Sequence, residues 1–269
     1  MIDKAVILAR GLGKRMRRSD QSAALDDTQS RIADSGVKAM IPIGRPFLDY
    51  VLNALVQAGF RRICLVIGPE HQVIRDYYTQ KVRLARLEIS FAVQDQPLGT
   101  ADAVSAARDF AGKDDFLVIN SDNYYPPAAF SALSGLDGMG LIGFDKGGLC
   151  EGNIPPERIA GFAVIQTDSA GLMVRIIEKP SAEQLAKLGR SVVVSMNCWR
   201  FGPAIFDACR AIGPSPRGEL ELTDAVQYSI DKLGVGFKVV PMRLAVLDMS
   251  SRQDVAEVAR RLEGVEISL

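Results

Sequence analysis

The segment Ala5-Val-Ile-Leu-Ala-Arg-Gly-Leu-Gly-Lys-Arg-Met-Arg17 decides the architecture of this chain. Its apolar run, from Ala5 to Ala9, is typical of a buried strand that starts close to residue 1. The strand leads into a turn with two glycines, and cationic side chains follow at Lys14, Arg15, Arg17 and Arg18. Glycines let the backbone approach a bound group and point N–H donors at it, while cations neutralise a polyanion. The segment therefore predicts a phosphate-binding turn at the end of a strand.

Two better-known phosphate motifs do not fit this turn. Met16 stands where a dinucleotide-binding fingerprint has its third glycine, and no Gly-Lys-Ser/Thr sequence follows as a P-loop requires. A tight turn that ends in solvated charges is the alternative reading of such a segment. The rest of the chain has to decide between the two.

Composition argues against several classes of function. The chain has 269 residues, with 32 Lys and Arg against 32 Asp and Glu, so we expect no nucleic acid or membrane partner. No apolar run approaches the ~18 residues of a membrane span, and a strand at the start argues against a signal peptide. The four cysteines lack C-x-x-C spacing, which predicts reduced thiols in a cytoplasmic protein. With His71 as its single histidine, the chain offers no catalytic triad or His-rich metal site.

Strand patterns alternate with helical patterns along the chain, which indicates an α/β protein with a mostly parallel sheet flanked by helices. Helices are expected around residues 47–55, closed by Gly59, and after Gly99. Residues 159–166 and 172–177 predict an antiparallel hairpin across Ser169-Ala-Gly171. The other predicted strands are 63–67, 87–93, 116–120, 140–144, 192–201, 235–240 and 243–247. The later predicted helices are 203–210, 222–232 and 254–262.

A series of short motifs resembles, in content and order, those of the sugar-1-phosphate nucleotidyltransferases, also called NDP-sugar pyrophosphorylases. The first four are the turn from Leu8 to Met16, Lys38-Ala-Met-Ile-Pro42, Gln94 to Ala103 and Ile119-Asn-Ser-Asp-Asn123. The later ones are Gly161, Glu178-Lys-Pro180, Asn197, Glu219-Leu-Glu-Leu-Thr-Asp224 and Leu247-Asp248. Each motif alone is weak, but together they span nearly the whole chain and make the resemblance specific.

The resemblance implies a Rossmann-like fold and a cytoplasmic, Mg²⁺-dependent enzyme that uses an NTP and a sugar 1-phosphate as substrates. The sugar phosphate attacks the α-phosphorus in line and pyrophosphate leaves. No covalent protein intermediate is needed, because alignment and charge neutralisation carry such transfers. We expect one domain over 1–269, with 1–145 mainly binding nucleotide and 146–269 forming an antiparallel sugar-binding portion. A homo-oligomer is left open.

Two aspartates are the expected metal ligands. Asp122 lies just past an apolar strand, at the carboxyl end of the sheet where ligands of open α/β folds bind, and Asp248 ends another strand. A Mg²⁺ ion that bridges two phosphates needs hard oxygen ligands of this kind, and the resembled family uses this pair. For either aspartate alone, a helix cap or a turn is the alternative.

Three cations are expected to be catalytic. Arg15 should hold the leaving pyrophosphate, because its guanidinium matches phosphate oxygens and stays charged. Lys38 should contact the α-phosphate, where charge shifts in the transition state, and Lys179 the sugar phosphate. The nucleotide-binding residues implied by the resemblance are Leu8, Ala9, Gly11, Gly13, Arg15, Lys38, Gln94, Gly99, Thr100 and Asp122. The implied sugar-phosphate residues are Asn123, Gly161, Glu178, Lys179 and Asn197.

The identity of the base depends on Gln94 and Gly99. A glutamine amide edge suits a pyrimidine, and the similarity to uridylyl- and thymidylyltransferases favours UTP, then dTTP. The segment from Pro97 to Val104 also resembles the adenylyl- and guanylyltransferase branches, which leaves a purine open. Arg10 stands where the family usually has Gly or Ala, and would either add a phosphate contact or fill the base pocket. Ser121 replaces the family's glycine before the metal aspartate.

Residues 19–36 form an insertion that is longer than the family's usual connection. Ser22 or Asp20 as N-cap and Gly36 as stop signal predict a short helix over the nucleotide site. A surface loop is the alternative.

Two other functions stay open. One is a catalytically silent homologue that binds a nucleotide or NDP-sugar and regulates a partner, although the chain keeps all five key charged residues. The other is an NDP-sugar-dependent glycosyltransferase, although Ser121-Asp122-Asn123 lacks the D-x-D pattern usual in that class.

Overall fold

The structure is a computed structural model that describes residues 1–20, 22–181, 183–185 and 192–269. In chain order, the strands of this part of the chain are β1 (Lys4–Leu8), β2 (Arg62–Ile67), β3 (Glu88–Val93), β4 (Phe116–Asn120), β5 (Asn123–Tyr124), β6 (Met139–Phe144), β7 (Ala163–Thr167), β8 (Met173–Ile177), β9 (Val193–Ser195), β10 (Trp199–Phe201), β11 (Phe237–Met242) and β12 (Leu247–Asp248). The helices of four or more residues are Lys14–Arg17, Asp27–Ser35, Phe47–Gln57, Gln72–Asp76, Thr100–Ala106, Arg108–Ala111, Pro127–Ser134, Lys146–Glu151, Pro156–Ile159, Ile205–Ala211, Leu222–Leu233 and Asp254–Arg261. A 3₁₀ turn covers Lys38–Met40 and a π-helical turn covers Tyr77–Lys81.

The first half of the chain builds a parallel sheet. β1 lies between β2 and β4 and is parallel to both, and β2 is parallel to β3. Parallel neighbours need crossover connections, which here contain the helices Phe47–Gln57, Gln72–Asp76 and Thr100–Ala106. The α/β sheet predicted from the alternating pattern is confirmed. Because the strands run the same way, the loops after β1 and β4 emerge at the same edge.

The second half extends this sheet with antiparallel strands. β10 pairs antiparallel with both β4 and β6, and β9 and β7 continue the antiparallel pairing to the hairpin strand β8. β11 is parallel to β6. One sheet therefore runs through both halves, in the order β3-β2-β1-β4-β10-β6-β9-β7-β8, with β11 off this path. β5 and β12 form a separate antiparallel ribbon in which Asn123 lies opposite Asp248.

Helices cover both faces of the sheet, and β1 shows why. Ala5 and Ile7 point into one hydrophobic cluster and Val6 into another, as the two-residue period of a strand requires. The first cluster includes side chains of the helices Phe47–Gln57, Pro127–Ser134 and Asp254–Arg261. The second includes side chains of Thr100–Ala106, Ile205–Ala211 and Leu222–Leu233. In the described ranges, no helix has the length and apolar character needed to cross a membrane.

Several predicted elements of the second half are wrong in extent. The strand predicted at 192–201 is two strands, because Asn197 takes a φ of 56° and interrupts the extended backbone. The strand predicted at 159–166 begins only at Ala163, after the helix Pro156–Ile159. Of the strand predicted at 243–247, only Leu247 belongs to a strand, in the ribbon with β5.

The insertion at 19–36 contains the helix Asp27–Ser35. Its N-cap is Asp26, which accepts the N–H of Gln29 at 2.7 Å while the Gln29 side chain accepts the N–H of Asp26 at 3.1 Å. This reciprocal pair is a capping box, so the predicted N-caps Ser22 and Asp20 are wrong. The predicted stop is confirmed, because Gly36 ends the helix with a φ of 77°.

Candidate nucleotide and sugar-phosphate site

The loops after β1 and β4 border a cavity of about 350 Å³. Leu8 lies opposite Asn120, and the N–H of Ser121 donates to the Leu8 carbonyl at 3.2 Å, so the glycine turn faces the Ser121–Asp122 segment. The structure brings most of the predicted nucleotide-binding residues to this cavity, namely Leu8, Ala9, Gly11, Gly13, Lys38, Gln94, Gly99, Thr100 and Asp122. We call it the nucleotide-side cavity.

A second cavity of about 500 Å³ adjoins the first, because Thr100 and Glu219 line both. The predicted sugar-phosphate residues Gly161, Glu178, Lys179 and Asn197 line it, and we call it the sugar-side cavity. Arg15, predicted to hold pyrophosphate, lines this second cavity and not the first. The hydroxyl of Thr100 accepts the N–H of Leu222 at 2.9 Å, which ties the two halves of the chain together at this boundary.

The two turn glycines have different surroundings. Gly13 has a φ of 59°, and a Cβ added there would lie 2.2 Å from the Gly36 carbonyl oxygen. A Cβ at Gly11 would meet no heavy atom within 4 Å. Arg17 Nη2 also donates to the Ser35 carbonyl at 2.7 Å, so the insertion helix is bound to the glycine turn by backbone contact and hydrogen bond. Since Gly36 and Val37 line the nucleotide-side cavity, the end of the insertion forms part of its wall.

Lys38 and Asp122 form an ion pair at the wall of the nucleotide-side cavity. Lys38 Nζ lies 2.8 Å from Asp122 Oδ2, with both side chains half-buried. Burial acts to lower the pKa of Lys38, but the charges of Asp122 and, further away, Asp248 outweigh it and raise that pKa. Lys38 is therefore held as a cation at physiological pH.

Asp248 is brought behind Asp122 by the β5–β12 ribbon. The N–H of Met249 donates to the Asp122 carbonyl at 2.8 Å, and the Asp248 side chain is buried. Its carboxylate accepts from Asn123 Nδ2 at 3.1 Å and from the Ser250 hydroxyl. Burial, followed by the charge of Asp122, raises the pKa of Asp248 to about 6. Asn123, predicted to bind sugar phosphate, uses its amide on Asp248 and is not among the residues that line the sugar-side cavity.

Arg158 is a residue that sequence reasoning missed. Its Nη1 lies 3.0 Å from Asp248 Oδ2, its Nη2 lies 2.8 Å from Asp254 Oδ1, and it lines the sugar-side cavity. It is the cation that compensates the buried charge of Asp248. The partners are 90 residues apart in sequence, so no local motif marks the pair.

The donor chemistry of Asp122 and Asp248 fits a hard divalent cation, because both supply carboxylate oxygens. Within the described ranges, no group of three or more His, Cys, Asp or Glu side chains could hold a metal ion. A Mg²⁺ ion at the two aspartates would therefore need further oxygen ligands from substrate phosphates and water.

Backbone strain coincides with the sugar-side cavity. In the described part of the chain, Lys179 with φ 46° and Asn197 with φ 56° are the non-glycine residues with positive φ. Such conformations cost about 1–3 kcal/mol each and persist where the surroundings enforce them, often at functional sites. The Asn197 side-chain oxygen also accepts from Trp199 Nε1 at 3.2 Å, which directs its amide.

In the wall of the nucleotide-side cavity, the amide of Gln94 has a fixed orientation. Its Nε2 donates to the Gly99 carbonyl at 3.0 Å and to Asp102 Oδ2 at 2.7 Å. Rotation of the amide by 180° would set its oxygen against two acceptors, so the orientation is chemically forced. Gln94 Oε1 is thus the atom left to meet a ligand, and Asp102 is a second residue that sequence reasoning missed.

A family model described as nucleotidyl transferase matches residues 31–243. The low-salt glycan biosynthesis nucleotidyltransferase of Haloferax volcanii is 31% identical over 241 residues, which are 85% of this chain and 59% of that protein. Glucose-1-phosphate thymidylyltransferase of Streptomyces antibioticus is 30% identical over 273 residues, covering 98% of this chain and 67% of that protein. This chain therefore spans only about three fifths of the length of the first relative.

The fold also matches a solved structure. UDP-glucose pyrophosphorylase complexed with UDP-glucose superposes with a TM-score of 0.76 at 19% identity, over 97% of this chain and 98% of the other. At this level of sequence identity the match shows the fold alone, and the two proteins share the same α/β architecture. The family model covers most of the chain, although the turn from Leu8 to Met16 and Leu247-Asp248 lie outside the matched residues. The chain belongs to the nucleotidyl transferase family.

Proposed function

We propose that the protein transfers a nucleotidyl group from an NTP, preferably UTP or dTTP, to a sugar 1-phosphate and releases pyrophosphate. The observation that carries the proposal is the pair of adjoining cavities, one with the glycine turn and Lys38, the other with Glu178 and Lys179. Two substrates bound side by side can meet in line without a covalent intermediate. The activity of the thymidylyltransferase relative and the UDP-glucose ligand of the structural neighbour support this choice of substrates.

On the nucleotide side, the task is to neutralise phosphate charge. The backbone of the turn from Gly11 to Gly13 supplies N–H donors, and Lys38 supplies a cation whose raised pKa keeps it protonated. Arg15 lines the sugar-side cavity, and its charge acts on Lys38, so it suits phosphate oxygens where the two substrates meet. Fixed cations at this junction would stabilise the charge that develops on the transferring phosphate.

On the sugar side, Lys179 would hold the phosphate of the acceptor and Glu178 would accept hydrogen bonds from sugar hydroxyls. Burial raises the pKa of Glu178, and the charge of Arg217, 3.6 Å away, opposes that rise and favours the carboxylate. Gly161 adds backbone without side-chain bulk, and Asn197 offers an amide donor whose direction Trp199 fixes. These groups suit a polyhydroxylated, singly phosphorylated ligand.

Mg²⁺ would be held by Asp122 and Asp248, and when bound it would supply charge neutralisation and orientation of the phosphates.

We treat residues 1–269 as one domain because β4 and β10 join the two halves in one sheet. The free state of all four cysteines suits a cytoplasmic location, which we expect.

The decisive experiment incubates the protein with each NTP, a panel of sugar 1-phosphates and Mg²⁺, and follows pyrophosphate release. Pyrophosphate should form only when both substrates are present, and Asp122→Asn serves as the inactive control. Nucleotide binding without pyrophosphate release under any pairing would instead support a silent binding protein. Transfer of sugar from an NDP-sugar to an acceptor would support a glycosyltransferase, and either result would overturn the proposal.

A further inference from the structure

Arg10 is a buried arginine in the wall of the nucleotide-side cavity. It lies two residues after β1, is 9% exposed, and lines the cavity together with Gln94. Its Nη2 donates to the carbonyl of Asp95, the residue after Gln94, at 3.1 Å. The guanidinium is thereby held beside Gln94 in the cavity wall, and Lys38 and Asp122 line the same cavity.

Arg10 is incompletely satisfied by the protein. It forms an ion pair with the half-exposed Glu70, at 3.3 Å. Within the described residues, its Nε and Nη1 are buried and have no hydrogen-bond acceptor. A buried donor without a partner is costly, and more so when the group is charged.

In the part of the chain that the structure describes, the neighbouring backbone leaves space for the Arg10 side chain but supplies no acceptor for its unpaired donors. A Cβ at Gly68 would lie 2.5 Å from Arg10 Nε and 2.4 Å from Glu70 Oε2, so Gly68 is what admits the Arg10–Glu70 pair. Arg10 itself lines the nucleotide-side cavity, so a ligand bound there can bring the acceptor that its buried donors lack.

Gln94 supplies the complementary group. Its Nε2 is occupied by Gly99 and Asp102, which leaves Gln94 Oε1 as an acceptor in the same cavity wall as Arg10. Uracil, thymine and guanine carry a carbonyl oxygen beside a protonated ring nitrogen, which matches one donor and one acceptor. Cytosine and adenine carry an amino group beside an unprotonated ring nitrogen, which reverses both partners.

We propose that Arg10 is a specificity-determining residue that donates to the carbonyl oxygen of a keto nucleobase while Gln94 Oε1 accepts from the adjacent ring N–H. For a pyrimidine the oxygen is O4 of uracil or thymine. The proposal rests on the proposed function for the statement that the ligand is a nucleoside triphosphate. It adds the chemical criterion by which the base is chosen.

The test compares UTP with CTP, which have nearly the same size and differ at the edge in question. Wild-type protein should use UTP with a far higher kcat/KM than CTP. Arg10→Met keeps the bulk but removes the donors, and should lower the UTP/CTP ratio at least about tenfold, since hydrogen bonds to charged groups are worth roughly 1.5–3 kcal/mol. The loss should appear in the KM for UTP, with the KM for sugar 1-phosphate unchanged.

Arg75→Met is the matched control. Arg75 lies in the surface helix Gln72–Asp76, stacks on Phe91, and is not among the residues that line either cavity. It should leave the UTP/CTP ratio at the wild-type value. If Arg10→Met does not fold, Arg10→Lys keeps the charge and one donor group and should give an intermediate ratio. A ratio that stays at the wild-type value in a folded Arg10 variant overturns the proposal, as does an equal loss with both nucleotides.

Equilibrium binding of UTP and CTP, measured by calorimetry without sugar phosphate, separates this proposal from the proposed function. An Arg10-dependent preference for UTP in a protein that releases no pyrophosphate would sustain the base criterion and reject the transferase. Pyrophosphate release with a UTP/CTP ratio independent of Arg10 would do the reverse.

Discussion

Lys38 Nζ and Asp122 Oδ2 lie 2.8 Å apart, although 84 residues separate them in the sequence. Lys38 follows the insertion helix and Asp122 follows β4, so the pair connects the insertion to the carboxyl edge of the sheet. The carboxylate directs the lysine amine and raises its pKa. The proposed phosphate ligand and the proposed metal ligand are therefore one electrostatic unit, and changing either one alters the other.

Asp122→Asn should abolish most turnover and leave the fold intact, because it removes a charge without removing volume. Loss of a principal electrostatic contributor typically costs about 2.7–4 kcal/mol of barrier, or roughly 10²–10³ in kcat. The measurement is kcat over a range of Mg²⁺ concentrations, with thermal unfolding as the control for folding. A variant with near wild-type rates at limiting Mg²⁺ would remove Asp122 from the metal site.

Arg158→Met should destabilise the protein, because it leaves the carboxylate of Asp248 buried without its cation. Removing one partner of a buried ion pair costs roughly 3–5 kcal/mol, and we expect the lower end here because Arg158 keeps some exposure. Urea unfolding gives the free energy directly.

Asp248→Asn provides the second arm of a double-mutant cycle for that pair. With the buried charge gone, the additional cost of Arg158→Met should fall by at least about 1 kcal/mol. Equal costs in both backgrounds would show that Arg158 acts through Asp254 or through packing alone.

Lys179→Ala and Lys179→Gly separate the charge of Lys179 from its strained backbone. Both variants remove the amine, so both should raise the KM for sugar 1-phosphate at least about tenfold and leave the KM for NTP unchanged. Glycine accepts a positive φ at no steric cost, so Lys179→Gly should be more stable than Lys179→Ala by about 1 kcal/mol. Equal weakening of both substrates would contradict the placement of Lys179 on the acceptor phosphate.

Gly13→Ala and Gly11→Ala distinguish two roles within one turn. At Gly13 the φ of 59° and the clash with Gly36 predict a loss of about 1–3 kcal/mol in stability. At Gly11 a methyl group meets open space, so stability should be kept while the KM for NTP rises if phosphate approaches that backbone. Thermal unfolding and NTP kinetics on both variants check the pair. Stability losses of equal size would contradict the distinction.

The sequence predicted those parts of the molecule that local pattern controls. β1 and β4 are apolar runs with clear ends, and Gly36 is a stop signal whose meaning does not depend on the tertiary fold. The break at Asn197 could not be predicted, because an asparagine in an apolar run shows nothing of a positive φ. The Arg158–Asp248 pair and the Asn123–Asp248 contact arise only when the β5–β12 ribbon forms. The capping box of Asp26 and Gln29 was present in the sequence as Asp-x-x-Gln, but Ser22 and Asp20 were equally suitable N-cap residues by type.

The base preference depends on the amide of Gln94. When a base that does not fit replaces one that does, polar groups of the protein at this edge lose their hydrogen-bond partners. Each buried group left unpaired costs roughly 1–3 kcal/mol. UTP or dTTP should therefore exceed ATP, whose edge reverses both partners, by at least about tenfold in kcat/KM, since 1.36 kcal/mol is one decade. Gln94→Ala should flatten this preference more than it lowers the best rate.

Asp102→Ala tests the orientation of the Gln94 amide without changing Gln94 itself. Asp102 accepts one of the two hydrogen bonds that fix the Gln94 amide, so its loss leaves only the Gly99 carbonyl to oppose rotation. We expect the discrimination between UTP and CTP to fall by a smaller factor than in Gln94→Ala, because the rotated amide can then meet cytosine as a donor. The effect should appear in KM and not in kcat. Unchanged discrimination in Asp102→Ala would mean that Gly99 alone fixes the amide, whereas a wild-type preference for ATP or GTP would refute the pyrimidine assignment itself.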